Sequence, residues 1–134
     1  MSTDSQPAST HTFSPKAAAV SFLRLAATGH VREAYSAHVG PGFRHHNPYF
    51  RGDADSLSSA MEEAHTKTLE QTIEVHRAVA DGDLVAVHSH VVPASGDRGW
   101  ATVHILRFAG ERIVEMWDII QPVPEDSPNE NGMF

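Results

Sequence analysis

The spacing of apolar residues predicts three helices in the first half of the chain. In the first, Phe22, Leu23 and Ala26 recur at helical intervals between a Ser14-Pro15 start and a stop at Gly29. A second helix is predicted over 31–37. A third follows Asp53, which can cap its first turn, and ends near residue 67. Its apolar stripe consists of Leu57, Ala60, Met61 and Ala64.

The second half of the chain has the pattern of strands. Four β-like runs are predicted over 71–80, 84–92, 99–108 and 112–121, with turn residues between them. The segment 39–52 contains two prolines and three glycines and is predicted to be a loop. Helices followed by an antiparallel meander predict an α+β domain in which the helices pack on one face of the sheet.

The turns between these strands predict which side chains share a sheet face. If Asp81-Gly82 forms a two-residue hairpin turn, Arg77 opposes Ala86, and Arg77, His88 and His90 lie on one face. The hairpin near Gly110 is ambiguous. A three-residue loop places His104 and Asp118 on the same face, and a two-residue loop separates them.

Composition and charge limit the class of protein. The chain has 134 residues, no cysteine and a net charge of −7. This size predicts a single domain over 14–134 preceded by a disordered tail over 1–13. The acidic balance argues against nucleic-acid and membrane partners. Because no signal peptide or membrane-length apolar run is present, a cytoplasmic protein is expected.

Four segments in this order resemble SnoaL-like proteins of the nuclear transport factor 2-like superfamily. They are His45-His46-Asn47-Pro48, Val75-His76-Arg77, Gly82 to His88, and Ile113 to Pro122. The resemblance implies a strongly curved antiparallel sheet with a mixed edge, closed by about three N-terminal helices into a cone-shaped pocket, in a homodimer. It also implies that Asp118 occupies the position of the acid/base aspartate of the family's cyclases.

Asp118 is the first candidate for catalysis. It lies in an apolar strand, where burial raises the pKa of a carboxylate and makes it a competent base. The alternative is a structural carboxylate paired with Arg77 or with a histidine.

The remaining candidates surround the expected pocket. His46 and His88 are candidate catalytic residues that relay a proton. Arg77, Asn47 and His104 are candidates for stabilising an enolate oxygen. The full set of predicted substrate-binding residues is Arg77, Asn47, Tyr49, His90, His104 and Trp117.

A metal site is the weaker interpretation of the histidines. His88 and His90 follow Gly82 with the spacing that opens a cupin metal motif, but no glutamate follows at the required distance. A site could still be assembled from His46, His88, His90, His104 and Asp118. The expectation is therefore no metal and no other cofactor.

These features predict a cyclase, isomerase or dehydratase that abstracts a proton next to the carbonyl of a small hydrophobic ligand. The alternative is a non-catalytic binding protein or dimeric accessory subunit on the same fold. A homodimer is expected through the outer sheet face, with Val85, Val87 and Val91 as its apolar residues.

Overall fold

The computed structural model describes residues 12–134. Most of the predicted tail therefore lies outside the described residues. Phe13, which the prediction included in the tail, packs against the core and meets the Phe108 ring edge-on at 5.8 Å. The folded unit thus includes Phe13. No helix within residues 12–134 is long and apolar enough to cross a membrane.

Three helices form where the sequence supplies their ends. They are α1 (Pro15–Ala27), α2 (Val31–His38) and α3 (Ala54–His65). The Ser14 hydroxyl accepts a hydrogen bond from the Ala17 amide at 3.1 Å, and the Asp53 carboxylate accepts one from the Ser56 amide at 2.9 Å. Gly29 follows α1 with a φ of 92°, a conformation that glycine adopts without strain.

Five strands form one curved, mixed sheet. They are β1 (Val39–His45), β2 (Thr72–Asp81), β3 (Leu84–Val92), β4 (Trp100–Ala109) and β5 (Arg112–Pro122), in the order β1-β5-β4-β3-β2. β2 to β5 form the predicted antiparallel meander, and β1 pairs with β5 in parallel. The expectation of an α+β fold with a mixed edge is confirmed.

The prediction of a loop over 39–52 is wrong for its first half, because Val39–His45 forms β1. This edge strand is irregular, and its register with β5 shifts between Val39 and Arg44. Gly42 has a φ of 76° within it. β1 is fixed by a partner about 70 residues further along the chain, so local sequence pattern alone does not reveal it.

The helices cover one face of the sheet, called here the cavity face, and the opposite face is called the outer face. Val85, Val87 and Ser89 are completely buried on the cavity face. The expectation that Val85, Val87 and Val91 lie on the outer face is wrong, because the alternating partners Ala86, His88 and His90 lie there instead.

The predicted register of the β2–β3 hairpin is also wrong. Asp81 pairs with Leu84, so the loop is Gly82-Asp83 and not Asp81-Gly82. Arg77 consequently opposes His88 rather than Ala86. The register shifts again at His76, between Val75 and Arg77. Arg77 and His88 do share a face, as expected, but that face is the outer one.

The β4–β5 hairpin resolves the ambiguity about His104. Its loop is Gly110-Glu111, which would place His104 and Asp118 on opposite faces in a regular hairpin. However, the register shifts between Arg107 and Phe108, where β5 carries one additional residue, Val114. Because of this bulge, His104 and Asp118 share a sheet face, and the two residues pair directly.

Candidate functional site

A cavity of about 230 Å³ lies between the helices and the cavity face. Side chains from α1 and α3 form one wall, and β2 to β5 form the other. Most of its lining is apolar, including Phe22, Leu57 and Ile73. The side chains with hydrogen-bonding groups are Asn47, Gln71, Trp100, Thr102, His104 and Asp118.

His104 and Asp118 form the polar centre of this cavity. They are direct neighbours across β4 and β5, and both line the cavity. His104 Nδ1 and Asp118 Oδ1 are buried, and neither has a hydrogen-bond partner within residues 12–134. Because a buried polar atom without a partner costs free energy, these two atoms are suited to bind a ligand or a water molecule.

Asn47 holds the other oxygen of Asp118. Its side-chain amide donates a hydrogen bond to Asp118 Oδ2 at 2.9 Å, and its own oxygen accepts one from the Tyr49 amide at 2.9 Å. The backbone amide of Asn47 donates to His45 Nδ1 at 3.1 Å. Asp118 is therefore oriented through one oxygen and is open to the cavity through the other.

Burial controls the protonation of the imidazole at this site. Burial lowers the pKa of His104 below its ordinary value, and the nearby Asp118 carboxylate partly opposes that shift. His104 is therefore a neutral imidazole near pH 7, with one N–H donor and one acceptor nitrogen. Burial, together with the charge of Asp118, raises the pKa of Tyr35.

His46 lies outside the cavity, contrary to the prediction of a proton relay. Residues alternate between sheet faces, and His45 takes the cavity side while His46 takes the outer side. The His46 ring stacks on Trp117 at 4.9 Å, and its Nε2–H donates to Glu115 at 2.7 Å. Trp117 was predicted to contact the ligand, but it lies with His46 on the outer side and does not line the cavity.

Glu115 is the centre of a charged network on the outer face. Its carboxylate accepts hydrogen bonds from Arg44 at 2.9 Å, from His46, and from Arg107 at 3.3 Å. These contacts leave Glu115 only 6% exposed and lower its pKa to about 2. This network anchors the chain immediately before Asn47.

The other predicted polar residues also lie away from Asp118. Arg77 donates to His88 Nδ1 on the outer face, and His90 lies on the same face. The alternative of an Arg77–Asp118 ion pair is therefore wrong, because the sheet separates the two groups. Tyr49 is 85% exposed and does not line the cavity.

The histidines do not converge on one metal site. His46, His88 and His90 lie on the outer face, whereas His104 and Asp118 lie on the cavity face. Within residues 12–134, no group of three or more His, Cys, Asp or Glu side chains has the geometry to hold a metal ion.

The sequence prediction missed Gln71, Trp100 and Thr102 as polar residues of the cavity. Thr102 and Trp100 precede His104 by two and four residues on β4, so the period of a strand places them on the same face. The strand period could identify Thr102 and Trp100 only after the sheet face of His104 was known.

The model of the SnoaL-like domain family matches residues 19–116. The chain belongs to the SnoaL-like family. No functionally curated protein matches this SnoaL-like chain significantly.

Solved structures share its fold at low sequence identity. A proposed isomerase of the SnoaL-like family from Agrobacterium tumefaciens is 11% identical, with a TM-score of 0.66 over 80% of this chain and 97% of its own. AclR, a proposed hydroxylase from Streptomyces galilaeus, is 23% identical, with a TM-score of 0.65 over 82% and 80%. IdmH, a proposed polyketide cyclase from Streptomyces antibioticus, is 18% identical, with a TM-score of 0.62 over 79% and 91%.

Proposed function

We propose that this SnoaL-like protein is a cofactor-independent enzyme that moves a proton next to the carbonyl group of a small, mostly apolar compound. The reaction would be a cyclisation, an isomerisation or a dehydration. The observation that carries the proposal is the adjacent pair of buried atoms, His104 Nδ1 and Asp118 Oδ1, which have no hydrogen-bond partner within residues 12–134 and lie in a mostly apolar cavity. Two proteins with similar folds are a proposed isomerase and a proposed polyketide cyclase, and both activities agree with the proposed class of reactions.

Each polar residue has a distinct role in this reaction. Asp118 removes a proton from the carbon next to the carbonyl, and the electron pair of that C–H bond moves onto the carbonyl oxygen to give an enolate. The neutral His104 ring donates its N–H to that oxygen. Asn47 keeps the carboxylate of Asp118 pointed into the cavity.

The proton then returns from Asp118 to the product. In an isomerisation it goes to a different carbon of the enolate. In a cyclisation the enolate carbon first attacks a second carbonyl, and the new alkoxide takes the proton. In a dehydration the proton leaves with the departing hydroxyl group as water. All three reactions use the same carboxylate first as a base and then as an acid.

Hydrogen–deuterium exchange tests this proposal without knowledge of the natural substrate. In D₂O, wild-type protein should accelerate exchange of the proton next to the carbonyl of 1-tetralone, measured by proton NMR. Asp118→Asn should reduce the exchange rate by about 10²-fold or more, the usual contribution of a general base. Asp81→Asn, at an exposed strand end, is the matched control.

Two results would contradict the proposal. One is a wild-type exchange rate equal to that of buffer. The other is an Asp118→Asn variant as active as the wild type. If 1-tetralone binds to the wild type without exchange, the cavity is that of a non-catalytic binding protein.

A further inference from the structure

Gln71 lines the same cavity as Asp118. It lies immediately before β2, whereas Asp118 lies within β5. Its backbone amide donates to the Thr68 carbonyl at 3.0 Å, and its side-chain Nε2 donates to the carbonyl oxygen of Ala27 at 2.7 Å. A carbonyl oxygen can only accept a hydrogen bond. The Ala27 contact therefore fixes which way the amide of Gln71 points.

This orientation leaves the side-chain oxygen of Gln71 as an acceptor. Within residues 12–134, no group donates a hydrogen bond to Oε1. The neighbouring cavity wall contains Ile73 and Val91, which have no polar side-chain atom. A hydroxyl or N–H group of a ligand could donate to Oε1, whereas a carbonyl or ether oxygen there would bring two acceptors together.

The position of Gln71 also bears on the shape of such a ligand. Two strands, β3 and β4, separate β2 from β5, which carries Asp118. Gln71 and Asp118 therefore belong to different parts of the cavity wall. A ligand that contacts both residues has to extend from one part to the other. The cavity of about 230 Å³ exceeds the ~150 Å³ that accommodates one benzene ring.

We propose that Gln71 is a specificity-determining residue that accepts a hydrogen bond from a hydroxyl group at the end of the substrate remote from its reacting carbonyl. The substrate class is an elongated compound of about two fused rings, with an enolisable carbonyl at one end and a hydroxyl group at the other. The assignment of the carbonyl end rests on the proposed function, whereas the hydroxyl end rests on Gln71 alone.

Binding of two matched ketones tests this assignment. The probes are 1-tetralone and 6-hydroxy-1-tetralone, which differ only in a hydroxyl group at the far end. Wild-type protein should bind the hydroxylated ketone about 3–10-fold more tightly, the net effect of one hydrogen bond. Quenching of Trp100 fluorescence reports binding, because this residue lines the cavity. Calorimetry provides an independent measurement of Kd.

Substitution of Gln71 should remove the preference and not the ability to bind. Gln71→Met keeps the length of the side chain but has no acceptor of comparable strength, so both ketones should bind with similar Kd values. Asp118→Asn is the control, because it should retain the preference for the hydroxylated ketone. If Gln71→Met fails to fold, 6-methoxy-1-tetralone gives the same test on wild-type protein and should lose the preference.

The proposal is overturned if the wild type binds all three ketones equally or binds none of them. It is also overturned if Gln71→Met keeps the preference, or if Asp118→Asn alone removes it. Because the measurement is binding, it is independent of turnover. A hydroxyl preference that depends on Gln71, without any proton exchange, would refute the proposed reaction and retain the specificity residue.

Discussion

Removal of the Asn47 side chain should destabilise the fold through its contact with Asp118. Asn47→Ala removes the hydrogen bond to Asp118 Oδ2 and the one that Asn47 accepts from the Tyr49 amide. A hydrogen bond to a charged group contributes about 1.5–3 kcal/mol, and a neutral one about 0.5–1.5 kcal/mol. Because Asn47 is only half-buried, we expect a loss near the lower limit, about 2 kcal/mol.

A double-mutant cycle isolates the part of this loss that belongs to Asp118. Urea unfolding at pH 7 is measured for the wild type, Asn47→Ala, Asp118→Ala and the double variant. The coupling free energy should be about 1–2 kcal/mol, since the two residues share one charged hydrogen bond. In a protein with the proposed activity, Asn47→Ala should also lower kcat, because the carboxylate is no longer oriented.

Asn129 provides a matched control for this experiment. Its side-chain oxygen accepts a hydrogen bond from the Asn131 amide at 2.7 Å, in an exposed turn without a carboxylate partner. Asn129→Ala should therefore cost less than about 1 kcal/mol. A coupling free energy below about 0.5 kcal/mol, or equal losses for Asn47→Ala and Asn129→Ala, would refute the inference that Asn47 holds Asp118.

Three further predictions concern charge and assembly. Because ion pairs lower the pKa of Glu115 to about 2 from 4.5, their contribution to stability should be complete above pH 4.5 and lost as the pH falls towards 2. In urea unfolding, the stability difference between wild type and Glu115→Gln should shrink over that pH range. A difference that stays constant would contradict this prediction. Because burial lowers the pKa of His104, NMR should find its ring still mostly neutral at pH 6.5. A half-protonated ring at that pH would contradict the role of His104 as a neutral hydrogen-bond donor. We also propose a homodimer through the outer face, where Ile119 is 60% exposed. Light scattering should give a molecular mass of twice 14.6 kDa for the wild type and of 14.6 kDa for Ile119→Arg. A wild-type monomer at micromolar concentration would contradict the proposal.

Local sequence signals predicted the helices and the meander well. The caps at Ser14 and Asp53 and the stop at Gly29 are short-range features. Ser14 and Asp53 precede the first residues of α1 and α3, and Gly29 follows the end of α1. β1 escaped prediction because its stability comes from pairing with β5, which is distant in sequence. That omission also affected the prediction for His46, since only a strand specifies which of two neighbouring residues faces the cavity.

The site was predicted in part, and the errors have one physical origin. Asp118 and Asn47 line the cavity, as does His104, whose sheet face the sequence left open. His88, His90 and Arg77 lie on the outer face. Parity along a strand determines these positions, and parity depends on turn length and on bulges. A bulge leaves a weak signature in sequence, so residue types along the strands could not assign each residue to a face.

The additional residue Val114 has a consequence for divergence within this fold. Loss of Val114 would remove the bulge, and the pairs from Arg107–Glu115 to His104–Asp118 would stay as they are. Glu115 and Trp117 would keep the outer face, and Asp118 would still face the cavity. A single-codon deletion at this point could therefore shorten β5 in one evolutionary event without replacing the polar centre of the cavity.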